Sequence, residues 1–303
     1  MFFYWAYGLT IQSEIYFPEL FPAVTSLSTD ILIKKGSIDS FVQLSPNSLA
    51  NEIVVDQNYF YLNVTGIGKY YATSGNLIVI EPFATADLES LRLYCLSNVF
   101  AAILFQRHVF PLHAAALKID NKLVLICGDS GAGKSSLQAS LLSRGVKIFS
   151  DDVCVPYLTS SGEVFMHPSY PLMKFWRDTL SYFPFLGEPD LQLRPNYEKY
   201  GFFFHDEFQE KALSPSLVFF LEKSSLISEL HLREIKGVEL FQKLNSNVYR
   251  GEFLGKLDLR MSHFDLFSKL ANQLQGYVIE RPDSINTINE LSDKVEEIIR
   301  NKF

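Results

Sequence analysis

The sequence predicts an α/β protein. A small β-rich module covers residues 1–86, and a domain over 87–303 alternates strands and helices around a glycine-rich loop. Two observations carry this prediction. Residues 128–135 read Gly-Asp-Ser-Gly-Ala-Gly-Lys-Ser, with an apolar strand-like run before them and a helix-like run after them. Upstream, short β-branched and aromatic segments alternate with Gly, Asn, Ser and Pro, which is the pattern of strands and turns.

The elements follow in order. The first fourteen residues are apolar at the start but lack a basic stretch and a small-residue cleavage site, so they read as a first strand. Further strands are expected at 30–34, 59–64 and 76–80. Residues 88–107 read as a helix, because Leu91, Cys95, Val99 and Ile103 recur at helical spacing. Asp87 is its expected N-cap, with Glu89 in the first turn. Its most apolar part, 99–105, is flanked by Arg92 and Arg107 and is shorter than the roughly eighteen residues of a membrane span. Strands are expected at 112–119 and 123–126, joined by a turn at Asp120-Asn121. A helix over 134–143 stops at Gly145, and a strand follows at 147–150. Strand, loop, helix and strand in this order form the unit of a parallel nucleotide-binding sheet. Residues 167–208 are aromatic and Pro-rich and read as loops and short helices. Strands are expected at 217–221, 229–234 and 277–280, and helices at 237–244, 262–274 and 284–299.

Composition narrows the function classes. The net charge is -7 and there is no basic tail or stripe, which argues against nucleic acid as a partner. Cys95, Cys127 and Cys154 lack CxxC spacing, which argues against a disulfide framework or a zinc site. A cytoplasmic chain with no membrane partner is expected. The sequence leaves homo-oligomerisation open.

The loop carries chemistry. It matches G-x-x-x-x-G-K-[ST] at every position, a match that chance gives in roughly one such chain in a hundred. Gly128, Gly131 and Gly133 let backbone N–H groups approach phosphates closely, and the following helix N-terminus favours anions. The expected nucleotide-binding set is Gly128, Asp129, Ser130, Gly131, Ala132, Gly133, Lys134, Ser135 and Ser136. Lys134 reaches the β- and γ-phosphates, and Ser135 offers a hydroxyl to Mg²⁺. Asp151 and Asp152 end the next strand. One can bind Mg²⁺ and the other can accept a proton, at the strand end where ligands of open α/β sheets bind. His113 lies in Pro111-Leu112-His113-Ala114-Ala115-Ala116. A lone His on an apolar strand is more often a satisfied core residue, although the small residues after it would let a ligand come close.

These three features in order resemble the catalytic domain of the HPr kinase/phosphorylase family, which is related in fold to phosphoenolpyruvate carboxykinase. The resemblance is specific over residues 108–157: Leu112-His113-Ala114, the loop, Arg144-Gly145 and Asp151-Asp152. It implies an ATP-dependent kinase that phosphorylates a serine hydroxyl, with ATP and Mg²⁺ as cofactors. Lys134 would hold the phosphates, Ser135 the Mg²⁺, Asp151 would be the general base, and Asp152 would bind or support the metal. His113 would sit beside the pair.

The family's later segment of the type LEVRGLGI is absent, and residues 167–178 stand in its place. That segment is similar to a divergent branch, as are Tyr7-Gly8-Leu9, Ser13-Glu14 and Phe17-Pro18-Glu19-Leu20. Some members of the branch occur with lasso-peptide biosynthesis and phosphorylate a serine at the end of a precursor peptide. The implied partner is therefore a peptide or small protein with an acceptor serine. Among Lys174, Arg177, Arg194 and Lys199, the candidates for transition-state or acceptor contacts are Lys199 and Arg194. Two other readings compete: a small-molecule kinase, and a nucleotide-gated binding module without transfer. The intact aspartate pair speaks against the second.

Overall fold

The computed structural model describes residues 1–24, 28–38, 41 and 51–302. The chain opens with eight strands: β1 (Phe2–Ala6), β2 (Leu9–Ser13), β3 (Phe21–Pro22), β4 (Ile31–Lys35), β5 (Ile53–Val55), β6 (Tyr59–Val64), β7 (Gly68–Thr73) and β8 (Leu77–Pro82). They form one sheet in the order β3-β1-β2-β4-β8-β7-β6-β5. The β1–β2 hairpin turns on Tyr7 and Gly8, both at positive φ (59° and 78°), the geometry of a two-residue hairpin turn. A Cβ at Gly8 would stand 2.6 Å from the His167 ring, so only glycine lets this turn dock there.

The expected helix at 88–107 forms with one interruption. It runs as α1 (Leu88–Tyr94), a π-turn (Cys95–Val99) and α2 (Phe100–Gln106). Asp87 caps it by accepting from the Ser90 N–H at 2.7 Å. By length and composition Leu88–Gln106 is apolar enough to cross a membrane, further than its central run suggested, and 72% of it is buried inside the fold. It is the core helix here. One hydrophobic cluster runs from Tyr4 and Ile33 on the first sheet, through Phe100 and Phe105, to Leu125, Val218 and Phe267. Arg92 on this helix forms a buried ion pair with Glu19 at 2.8 Å.

The second sheet contains β9 (Ala114–Ile119), β10 (Lys122–Gly128), β11 (Lys147–Ser150), β17 (Ser214–Ser224), β18 (His231–Ile235) and β19 (Gln275–Pro282). Its order is β11-β9-β10-β17-β19-β18. The parallel unit expected around the loop is therefore modified. The strand after the loop helix, β11, is not the neighbour of β10; β9 lies between them and runs antiparallel to both. The tight turn at Asp120 (φ 51°) forces this, because strands joined so closely pair antiparallel. The result is decisive for the site. The carboxyl ends of β10, β11, β17 and β19 and the amino end of β9 all meet at one edge.

Helix α3 (Lys134–Ser143) crosses from β10 to β11 and lays Leu137 and Leu141 on Ala115, Leu117, Val124 and Ile126. It ends at Gly145 (φ 88°), as expected. The middle segment departs from the expectation of loops and short helices. A hairpin, β12 (Cys154–Leu158) with β13 (Val164–Pro168), leads into it, and it holds a three-stranded sheet, β14 (Leu172–Trp176), β16 (Lys199–Phe203) and β15 (Leu191–Gln192). Helix there is limited to α4 (Arg177–Leu180) and a 3₁₀ turn at Pro184–Leu186. The strand β14 is covered on both faces. Met173 and Phe175 pack with Ala139, Ile148 and Phe202, whereas Leu172 joins the main core. Without an exposed face there is no apolar–polar alternation to read. Helices α5 (Gly237–Ser246), α6 (Arg260–Gln273) and α7 (Ile288–Lys302) complete the fold near their expected positions.

Candidate active site

The glycine loop begins where β10 ends. Gly128 has φ 143°, and a Cβ on it would lie 2.5 Å from the Leu221 carbonyl oxygen of neighbouring β17. Glycine at this position is thus a packing requirement as well as a conformational one. Gly133 adopts φ 107° as the residue before α3. The Lys134 ammonium donates to the carbonyl oxygens of Gly128 (2.6 Å) and Asp129 (3.3 Å), which holds it across the loop. Two residues that the sequence reading missed brace the loop from outside. Asn247 accepts from the Gly128 N–H at 3.1 Å, and the Arg281 guanidinium donates to the Ala132 carbonyl at 2.8 Å. Arg281 sits at the end of β19, on the same strand-end edge, and that position is the one signal that could have found it.

The aspartate pair follows β11. Ser150 fixes the turn: its hydroxyl donates to the Val153 carbonyl at 2.7 Å and accepts from the Ser169 N–H at 3.0 Å. Val153 N–H donates to the Asp151 carbonyl at 2.8 Å, closing a three-residue turn over Asp152, whose φ is 69°. A non-glycine residue in that region is strained, and such strain persists where the surroundings over-determine it. The turn separates the two carboxylates. Asp151 is buried, and its carboxylate accepts from the Lys174 N–H at 2.9 Å. Asp152 accepts from the Lys174 ammonium at 2.5 Å and meets His113 Nε2 at 3.0 Å.

His113 precedes β9. Because β9 runs against β10, its start lies at the strand-end edge, and the ring packs edge-on against Tyr249. The His113 N–H donates to the Asn247 carbonyl at 2.7 Å, which ties it to the segment that braces Gly128.

Environment drives the two carboxylates apart. Burial lifts the Asp151 carboxyl above the usual range, against the pull of Lys174. For Asp152 burial works in the same upward direction, but Lys174 and His113 outweigh it and hold the group well below that range. Lys174 stays charged: burial opposes its charge, and Asp152 overcomes the burial. Burial and the Lys174 charge lower Lys199. Adjacent titratable groups pushed in opposite directions suit separate acid–base roles, and a buried ion-pair network produces the same pattern.

All of this faces one cavity of about 260 Å³, lined by His113, the loop at Ser130, Gly131 and 133–136, Asp151, Asp152, Lys174, Lys199 and Arg281. Of the candidates for acceptor contact, Lys199 reaches this cavity. Arg194 lies one cavity further on. Its guanidinium sits 4.4 Å from the Tyr197 ring centre and donates to the Tyr94 hydroxyl at 3.2 Å. That second cavity, about 290 Å³, shares Asp152, Lys174 and Lys199 with the first. Arg177 is exposed and pairs with Glu198 outside both.

The residues fit a nucleotide and Mg²⁺. The loop would offer N–H donors and a lysine to phosphates, and Ser135 with the aspartates would offer the oxygen donors that Mg²⁺ takes alongside phosphate oxygens. Among the described residues no group of three or more His, Cys, Asp or Glu could hold a metal by itself. Mg²⁺ commonly binds through one or two carboxylates plus substrate phosphates, so this set is adequate.

No family model and no curated protein matches the chain. Among solved structures, it is similar to the Hpr(Ser) kinase/phosphatase from Coxiella burnetii, at 16% identity over 63% of this chain and 89% of that one, with a TM-score of 0.32.

Proposed function

We propose that the chain is an ATP-dependent kinase that transfers a phosphoryl group to a serine hydroxyl of a peptide or small protein. The observation that carries this is the placement of Asp151, desolvated and raised in pKa, in the same cavity as Lys134 and Ser135. A carboxylate lifted toward neutral pH is suited to take a proton from an attacking hydroxyl.

In this reading Lys134 and the loop N–H groups hold the β- and γ-phosphates, and Arg281 keeps the loop in shape. Asp151 accepts the serine proton as the serine oxygen bonds to the γ-phosphorus and the bond to the β-γ bridging oxygen breaks, releasing ADP. Lys174 and Lys199 face the charge that spreads over the transferring group. Ser135 would hold Mg²⁺, which supplies charge neutralisation at the phosphates. Asp152, whose two oxygens are engaged by His113 and Lys174, would support the ion from beside Ser135.

The acceptor enters from the far side of Asp152. The cavity there is lined by Tyr94, Asn98, Tyr170, Arg194, Tyr197 and Arg250, an open polar and aromatic surface suited to a peptide segment. The divergent branch that the sequence resembles points the same way, toward a precursor peptide. The test is incubation with γ-labelled ATP and a pool of serine peptides, with the labelled residue mapped by fragmentation. Wild type labels serine, and Asp151→Asn does not. Equal labelling by the variant sinks the base assignment. Label passing only to a metabolite mixture replaces the peptide acceptor with a small molecule.

A further inference from the structure

The phosphate-loop cavity has a second neighbour that the transfer chemistry does not use. It measures about 370 Å³ and shares Gly133, Ser136, Thr179 and Arg281 with the loop cavity. Asp151, Asp152, Lys174 and Lys199 do not line it. Its walls differ in kind from those of the loop cavity. Tyr182 and Phe183, from the turn after α4, and Ile285, Ile288 and Leu291, before and within the start of α7, give it an aromatic and aliphatic wall, with Asp178, Lys223, Asp283 and Asn286 as its polar edge. Tyr182 and Ile285 are largely exposed at its rim, 61% and 53%, where a folded chain alone gives them nothing to cover.

A polar group is left over in this pocket. Thr287 lines it and is 5% exposed, and its hydroxyl has no hydrogen-bond partner. The start of α7 does not use that hydroxyl, because Asn286 already accepts from the Ile288 N–H at 3.0 Å. A buried hydroxyl without a partner carries a desolvation penalty, which a ligand in the pocket can relieve.

We infer that this pocket binds the nucleobase and ribose of the donor nucleotide, between Tyr182–Phe183 and the start of α7. The two cavities meet along the first turn of α3, where Gly133 and Ser136 stand, so a ligand anchored by its phosphates in the loop continues past Ser136 into the pocket. The group that fits there is flat, apolar on its faces and polar at its edge, within a volume typical of small-molecule sites. This space is separate from the acceptor's route: Asp152, Lys174 and Lys199, which the loop cavity shares with the acceptor cavity, do not line it. The inference rests on the loop holding a nucleotide's phosphates, and it makes the donor a nucleotide rather than inorganic polyphosphate.

Calorimetric titration with ADP and, separately, with pyrophosphate tests it, in wild type and in Tyr182→Ala/Thr287→Val. Wild type binds ADP more tightly than pyrophosphate. The double variant loses about tenfold in ADP affinity, through lost stacking and a lost hydrogen bond, and keeps its pyrophosphate affinity. The pocket assignment is overturned if ADP affinity is unchanged, if both ligands weaken together in a folded variant, or if wild type does not distinguish them. Should thermal melting show the double variant unfolded, the exposed Ile285→Ala is judged by the same two ligands. Wild type that binds neither ligand removes the phosphate-loop reading together with the pocket. ADP binding without phosphoryl transfer to any acceptor removes the kinase reading and leaves the pocket standing.

Discussion

The two sides of the cleft are built from different material. The phosphate side is mostly backbone: one loop of consecutive residues, shaped by Gly128 and Gly133 and braced by Asn247 and Arg281. The aspartate side is side chains brought from separate segments, with His113 before β9, Asp151 and Asp152 after β11, Lys174 on β14 and Lys199 on β16. The backbone side depends on its glycines, its lysine and the two braces. The side-chain side depends on one strained turn and on the register of a small sheet, so a single substitution there disturbs several partners.

Substitutions can break this contrast. The largest effect is expected from Lys134→Met, which removes the ammonium that spans the loop. Transfer should fall on the order of 10³-fold and ADP affinity should drop with it, as measured by steady-state kinetics and calorimetry. Next comes Lys174→Met on the other side. It strips the partly buried Asp152 of its ammonium partner and should cost about 3 kcal/mol in denaturant unfolding. Adding Asp152→Asn should recover part of that loss, because the uncompensated charge is then gone. If the double variant is no more stable than the single one, the pair is not what holds the turn.

Arg194→Ala sharpens the contrast with a smaller effect. It should raise the acceptor KM severalfold and leave ADP affinity unchanged, since Arg194 lines only the cavity beyond Asp152. A stability effect of another kind lies away from the cleft. His263 packs between Phe110 and Phe267, and burial lowers its pKa to about 4 from the usual 6.5. The folded state disfavours its charge, so the neutral form's contribution is complete above pH 6.5 and is lost as pH falls toward 4. Unfolding measured between those values should lose at most about 3 kcal/mol, and His263→Phe should flatten that slope.

How much of this was legible in the sequence follows from the same contrast. The loop could be read because eight neighbouring residues carry it. Asp151, Asp152 and His113 could be found because each lies beside a recognisable strand, and the β9–β10 hairpin brings His113 to the same edge. The strand β14 could not be read, because Met173 and Phe175 on one face and Leu172 on the other are all covered, and Lys174 hides among them. Arg281 and Asn247 lie more than a hundred residues from the loop they brace, and nothing local announces that contact. The order of the central sheet is not legible for a simpler reason: the turn at Asp120 shows in the sequence, but not that it places β9 between β10 and β11.

Whether Asp151 takes the acceptor's proton is tested most directly by the pH dependence of kcat/KM for the acceptor, in wild type and in Asp151→Asn. A base must be ionised to act, so wild-type activity should be lost as pH falls through the raised Asp151 pKa, above the ordinary carboxylate range. The predicted result is a limb that rises with pH in wild type and is absent from Asp151→Asn, with equal ADP affinity in both. The same limb in the variant, at a comparable rate, contradicts it.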